Sequence, residues 1–77
     1  MDQSDRDLLT MRIDRVVQFH CTDGELIVGT VRWVSDEERD VIYDLITSNR
    51  MSRYASFGNS AWRLTFEEID FVTLPES

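Results

Sequence analysis

The chain has a single cysteine, one proline, three glycines and no lysine. One cysteine, Cys21, excludes an intramolecular disulfide and a cysteine-rich zinc site. No apolar run approaches the roughly 18 residues that a membrane-spanning helix requires, and no signal-peptide pattern opens the sequence. These absences predict a soluble protein of a reducing compartment that makes no membrane contact, and we expect it in the cytoplasm.

Signals of enzymatic chemistry are missing as well. The sequence has no glycine-rich phosphate loop, no metal-ligand spacing and no nucleophile elbow, and its only histidine is His20. His20 and Cys21 are neighbours on a predicted strand and therefore point to opposite faces, so they cannot form a nucleophile–base pair. The acids of the turn 36–40 match no calcium-loop signature. We predict a protein that is not an enzyme and that uses no cofactor or metal.

What the chain does have is enough apolar material for one small core. Its 77 residues are 42% hydrophobic and include four Phe, two Trp and two Tyr. A chain of this length forms one domain and is marginally stable as a monomer. It shows no repeat and no linker, so we expect a single domain over residues 1–77, in which association between copies adds stability.

The N-terminus predicts a helix and the remainder predicts a β-meander. Ser4, followed by Asp7 and two leucines, resembles a capping box that opens a short helix over about residues 4–13. From Val16 onward the apolar period changes to two, which is typical of half-buried strands and predicts a barrel over about residues 15–75. The predicted strands cover residues 16–22, 25–34, 41–47, 61–66 and 70–74.

Two features of the meander predict its curvature. Asp23-Gly24 between two β-branched runs is a strong signal for a tight hairpin turn, because such turns need positive φ. Gly29 lies within the long second strand, where a glycine commonly marks a bulge or a sharp bend. Five strands bent in this way predict a mainly β fold, a strongly bent antiparallel SH3-like barrel. For residues 48–60, a loop and the splayed ends of two strands both remain open.

The charge is unevenly distributed along the chain. Fifteen acids against eight arginines give a net charge of −7, which repels a phosphate backbone. Between Asp44 and Glu67, however, there is no acid, and arginines alternate with aromatic residues. The candidate RNA contacts in this window are Arg50, Arg53, Tyr54, Phe57 and Arg63. The alternative is that the aromatic residues pack on the barrel while the arginines pair with acids of a neighbouring subunit.

A short helix followed by five strands, the second bent at a glycine, resembles the Sm-like (LSm) family of small β-barrels over most of the chain. The first motif of that family has a turn glycine, a second glycine and apolar residues at fixed intervals. In this sequence Gly24, Ile27, Gly29, Val31 and Val34 stand at those places. Asp44 matches the last aspartate of the motif.

The residues that shape a uracil pocket in this family are not matched. Counted without gaps, Ser35 replaces an aspartate and Arg39 replaces an asparagine, whereas a one-residue slip places Asp36 and Asp40 there. The second family motif is an apolar-Arg-Gly turn before the last strand, and this chain has Leu64-Thr65-Phe66 instead. The resemblance therefore implies the barrel, with divergent or lost uridine recognition.

The resemblance also implies a homo-oligomeric ring in which the fourth strand of one subunit pairs with the fifth strand of the next. A partly open barrel has two unpaired edges, and head-to-tail pairing satisfies both. In such a ring Arg39 and Asp40 are candidates for an RNA contact at the pore, or they form a solvated hairpin tip. The apolar residues expected at the subunit interface are Trp62, Leu64, Phe66, Phe71 and Leu74.

Two functional hypotheses follow from these observations. The first is an Sm-like ring that acts as an RNA-associated scaffold. The second is an acidic SH3-like barrel that binds a basic protein or inhibits a nucleic-acid-binding factor, because a negative surface favours a basic partner. Binding of oligoribonucleotides at low salt distinguishes the two.

Overall fold

The computed structural model describes residues 1–54 and 61–75 of the chain. Phe57, one of the predicted RNA contacts, lies outside these residues. In the described ranges the strands agree with the predicted ones to within one residue at each end. The elements are α1 (Gln3–Thr10), β1 (Val16–Cys21), β2 (Leu26–Ser35), β3 (Asp40–Ser48), a 3₁₀ turn (Met51–Tyr54), β4 (Ala61–Thr65), a second 3₁₀ turn (Phe66–Glu68) and β5 (Ile69–Thr73).

The five strands form one antiparallel sheet in the order β4-β3-β2-β1-β5. The register of β2 against β3 shifts between Val28 and Gly29 and again between Val31 and Trp33. Such shifts mark bulges, which bend a strand and increase its twist. A short helix followed by a bent sheet of five antiparallel strands confirms the predicted fold class. Because the sheet is open, β4 and β5 are its two edge strands.

The bend at Gly29 has a steric cause. A Cβ atom placed on Gly29 would lie 2.8 Å from the carbonyl oxygen of Asp44 and 2.9 Å from Cδ2 of Tyr43. A strand can approach its neighbour this closely only where no side chain intervenes. Gly24 fulfils the other prediction, since its φ of 93° is the left-handed conformation that a tight turn requires.

The core is formed by buried side chains of all five strands, with Leu9 of α1 and Phe66 of the second 3₁₀ turn. Phe19 and Tyr43 contact each other near its centre, with ring centroids 5.3 Å apart. Full burial of a large apolar side chain contributes about 1.5–3 kcal/mol. The core consists of Leu9, Val17, Phe19, Ile27, Val31, Val41, Tyr43, Leu64, Phe66, Ile69 and Val72.

Two local predictions differ from the structure. The helix begins at Gln3 and ends at Thr10, and its N-cap is Asp2 rather than Ser4, because the Asp2 side chain accepts the backbone N–H of Asp5. The period of two expected along the strands does not continue to the end of β2, because a bulge interrupts it before Trp33, whose side chain is 64% exposed. In the described part of the chain, no helix is long and apolar enough to cross a membrane.

Candidate functional site

The four arginines predicted to contact RNA are each paired with a carboxylate of the same chain. This differs from the alternative drawn from the sequence, in which the acids belonged to a neighbouring subunit. A phosphate group that binds any of these guanidinium groups must therefore compete with a carboxylate. The pairs are Arg39 with Glu67 at 2.9 Å, Arg50 with Asp23 at 2.9 Å, Arg53 with Glu25, and Arg63 with Asp40.

Glu25 is the centre of the first group of polar contacts. It is 2% exposed and directly follows the β1–β2 turn. Its carboxylate accepts hydrogen bonds from the Ser48 hydroxyl at 2.6 Å and the Tyr54 hydroxyl at 2.8 Å, and it forms the ion pair with Arg53. A carboxylate is tolerated inside a protein only when it is paired and hydrogen-bonded in this way. Glu25 therefore fixes the start of the β3–β4 connection to the β1–β2 turn.

A second group of contacts holds the same two segments together at the surface. The backbone N–H of Leu26 donates to Oδ1 of Asn49 at 3.0 Å, and Nδ2 of Asn49 donates to the Gly24 carbonyl at 3.3 Å. Arg50 donates to both the carboxylate and the backbone carbonyl of Asp23. The backbone N–H of Glu25 and the Arg50 guanidinium lower the pKa of Asp23. Residues 49–54 therefore form a connection packed on the hairpin rather than an extension of the strands.

Tyr54 and Cys21 both keep their protons at neutral pH in this environment. Burial, with hydrogen bonds to Tyr43 and Glu25, raises the pKa of Tyr54 far above its ordinary value, so Tyr54 stays a neutral donor. Its ring is 7% exposed and meets Trp62 edge-on, which leaves no free face for a nucleobase. Burial and the nearby Glu25 carboxylate raise the pKa of the Cys21 thiol to about 11, which makes it a poor nucleophile.

Arg39, Asp40 and Arg63 lie at the corner where the β2–β3 turn meets the β4–β5 turn. Asp40 is 4% exposed, so the interpretation of this residue as part of a solvated hairpin tip is wrong. It begins β3 as the buried partner of Arg63, and this contact raises the pKa of Arg63. Arg39 is exposed, has a φ of 56° and extends its guanidinium over the Phe66 ring at 5.7 Å while it pairs with Glu67.

Thr65 and Phe66 occupy the place in this corner where the resemblance would put an Arg-Gly pair. Phe66 is 2% exposed. Two guanidinium groups lie over its ring, that of Arg39 at 5.7 Å from the ring centroid and that of Arg6 of α1 at 5.9 Å. A cation over an aromatic ring is attracted by the ring quadrupole. The corner is thus filled by the chain's own side chains, which supply neither the asparagine nor the Arg-Gly pair of an Sm-like uracil pocket.

The predicted interface residues separate into two groups. Leu64 and Phe66 belong to the core, so their side chains have almost no surface to offer to another subunit. Trp62 is half-buried on β4. Phe71 and Leu74 are 43% and 42% exposed at the β5 side of the sheet, and Phe71 stacks on His20 with ring centroids 4.1 Å apart.

The backbone of both edge strands directs hydrogen-bonding groups outward. The backbone N–H of Phe66 donates to the Arg39 carbonyl at 2.8 Å, whereas that of Thr65 donates to the Glu68 carboxylate at 3.0 Å. Because bonding alternates along an antiparallel strand, the N–H of Arg63 also points away from β3. On β5, the N–H of Val72 points away from β1.

The side chains of the described residues do not form a metal-binding cluster. Among residues 1–54 and 61–75, no group of three or more His, Cys, Asp or Glu side chains could hold a metal ion. The acids Asp36, Glu37 and Glu38 are exposed on the β2–β3 turn.

A short helix before an open, bent, antiparallel sheet of five strands defines the Sm-like fold, and this chain has that fold. Among solved structures it is similar to the crystal structure of an SmAP (LSm) protein from Methanococcus vannielii, with a TM-score of 0.70 and 19% sequence identity. The superposition covers 96% of this chain and 100% of that chain. The sequence matches no family profile and no curated protein. At 19% identity the likeness establishes the fold, and the ligand has to be argued from the residues.

Proposed function

We propose that this protein is a subunit of a closed homo-oligomeric ring and acts as a scaffold. The observation that carries the proposal is the open sheet, in which both edge strands direct backbone groups such as the N–H of Arg63 outward. An unpaired edge is a template for another strand. Pairing of β4 of one copy with β5 of the next satisfies both edges, and a constant rotation between copies closes the ring.

The side chains beside β5 support the same proposal. Phe71 and Leu74 expose about two fifths of their surface, and a neighbouring strand would cover them. Removing this apolar surface from water contributes about 1 kcal/mol for each side chain. For a domain of this size, whose own core is small, that contribution is a substantial share of the total stability.

An RNA-associated role is the first candidate for what the ring does. The side chains of Arg50, Arg53 and Arg63 are 45%, 55% and 58% exposed, so phosphate groups can reach them. Each guanidinium group already has a carboxylate partner, and the net charge is −7. We therefore propose weak, strongly salt-dependent RNA binding. This binding is not selective for uracil, because the corner at Phe66 lacks the residues of a uracil pocket.

A basic protein segment is the second candidate partner. The observation that favours it is the turn that carries Asp36, Glu37 and Glu38, three exposed acids that pair with no arginine in the part of the chain that the structure describes. A ring repeats this turn once in every subunit and so concentrates negative charge. Such a surface steers positively charged partners and repels nucleic acid.

The ring is tested by native mass spectrometry of the parent chain and of two lysine variants. We expect the parent to give one species with a fixed number of subunits. Phe71→Lys should release monomers, whereas Ile46→Lys should not, because Ile46 is 52% exposed on β3, a strand with neighbours on both sides. A parent chain that stays monomeric at hundreds of micromolar would refute the proposal.

The ligand is tested by fluorescence anisotropy of labelled oligoribonucleotides at low salt. If RNA binds the predicted segment, Arg50→Gln should lower the salt dependence by about one phosphate contact. Arg32→Gln is the matched control, since Arg32 is equally exposed and paired with acids but lies on β2. No anisotropy change with micromolar protein would remove RNA as a candidate, and a labelled oligo-arginine peptide would then test the basic partner.

A further inference from the structure

The outer edge of β5 is already occupied at one position. The backbone N–H of Val72 donates to Oδ1 of Asp5 on α1, across a distance of 3.4 Å. Val72 lies near the middle of β5, opposite Phe19 of β1, and its N–H points away from that strand. An incoming β4 would need the same N–H for its ladder of hydrogen bonds. The helix and a neighbouring copy therefore compete for one donor.

We propose that Asp5 guards the β5 edge, so that a second copy pairs with β5 only after the first turn of α1 has released the Val72 amide. This inference rests on the proposed ring and concerns its regulation. The isolated subunit keeps its edge partly satisfied, which disfavours pairing with unrelated strands. Assembly then includes a conformational step in α1.

The contacts of α1 allow its first turn to move separately from its end. Leu9, near the C-terminal end, is the buried residue of the helix and is 0% exposed. Gln3 and Ser4, in the first turn, are exposed. An eight-residue helix is too short to be stable without docking. Release of the first turn can therefore leave Leu9 in the core, although it withdraws Met1, which packs against the core from the start of the chain.

Arg6 provides a second reason why the first turn can leave its position. Its Nε is buried and has no hydrogen-bond partner among the described residues. A buried donor without a partner is unfavourable, and movement of the turn into water would satisfy it. Two contacts oppose this movement, the cation–π contact of Arg6 with the Phe66 ring at 5.9 Å and the Asp5 to Val72 hydrogen bond, which is long at 3.4 Å and therefore weak. The Asp5 contact thus disfavours assembly only modestly, and the full ladder of hydrogen bonds from an incoming β4 strand can outweigh it.

The test compares Asp5→Ala with Asp7→Ala by sedimentation equilibrium over a range of protein concentrations. Both variants remove one negative charge from the same helix, but the Asp7 carboxylate bonds the side chain of Gln3 at 2.9 Å and does not touch β5. We expect Asp5→Ala to assemble at about fivefold lower concentration, equivalent to about 1 kcal/mol for each interface. Asp7→Ala should stay within about twofold of the parent.

Two further measurements separate the possible failures. Circular dichroism should show unchanged helix content, since alanine is a strong helix former, and Asp5→Asn, which keeps an acceptor oxygen, should fall between the parent and Asp5→Ala. A parent that assembles while Asp5→Ala assembles equally well or less well overturns the guard and leaves the ring intact. A parent and an Asp5→Ala variant that both remain monomeric overturn the guard together with the ring.

Discussion

Replacing Gly29 with alanine tests the steric origin of the bend in the sheet. The new Cβ would lie 2.8 Å from a backbone oxygen of Asp44 and 2.9 Å from the ring of Tyr43. Neither neighbour can yield easily, because Asp44 belongs to the central part of β3 and Tyr43 is buried in the core. The two strands must therefore separate by several tenths of an ångström.

The expected loss follows from two opposing contributions. Overpacking of a well-packed site costs about 1–3 kcal/mol. Alanine also reduces the backbone freedom of the unfolded chain, which stabilises the folded state by about 0.4–1 kcal/mol. Gly29→Ala should therefore lower the free energy of unfolding by about 1–2 kcal/mol. For a domain of this size, each kcal/mol corresponds to a decrease in Tm of about 4–8 °C.

Urea unfolding followed by tryptophan fluorescence measures this loss directly. Both proteins must be compared in the same state of assembly, because association stabilises the folded chain by mass action. Gly24→Asn is the comparison variant: a Cβ there has its nearest contact at 3.9 Å, so any cost comes from the positive φ of 93° and not from a clash, and asparagine keeps that cost low. The steric argument would be refuted by a Gly29→Ala variant as stable as the parent.

The remaining predictions concern the polar contacts beside Gly24. The pKa of Cys21 is raised from 9.0 to about 11, so the stability that its neutral thiol contributes is present below about pH 9 and is lost as the pH rises toward 11. Its rate of labelling by a thiol reagent should therefore rise with a midpoint near pH 11 in the folded protein, and a folded midpoint at or below 9 would contradict this. Glu25→Gln should lower the free energy of unfolding by about 2 kcal/mol, because it removes the charge that pairs with Arg53 and leaves one acceptor oxygen for the three donors Ser48, Arg53 and Tyr54. Asp23→Asn, which affects an exposed ion pair, should cost clearly less in the same urea titration, and equal losses would show that the burial of Glu25 is unimportant.

The curvature of the fold could be predicted because its signals are local. The Asp23-Gly24 pair and the alternation of apolar residues act within a few positions, and both elements formed where expected. The bend at Gly29 could be predicted for the same reason, although the sequence around Gly29 reveals nothing about the Asp44 oxygen that requires a glycine there. The bulge before Trp33 could not be predicted, because a bulge is a property of two paired strands and one strand alone does not show it.

The polar contacts could not be predicted because they join distant parts of the chain. Glu25 follows a hairpin turn, where an acid ordinarily faces water, and it is buried only because Ser48, Arg53 and Tyr54 return to it 23–29 residues later. The window rich in arginine contains no acid of its own, so its charge looked unopposed. Strand pairing brings the opposing carboxylates from outside that window.

The turn Phe66–Glu68 joins the two edge strands with only three residues. The backbone N–H of Thr65 donates to the Glu68 carboxylate at 3.0 Å across this turn, which helps to hold the directions of β4 and β5 relative to each other. In the proposed ring, each copy receives a neighbour along β4 and offers β5 to the next copy. The angle that this turn holds between β4 and β5 would then set the rotation from one copy to the next, and with it the number of subunits that close the ring.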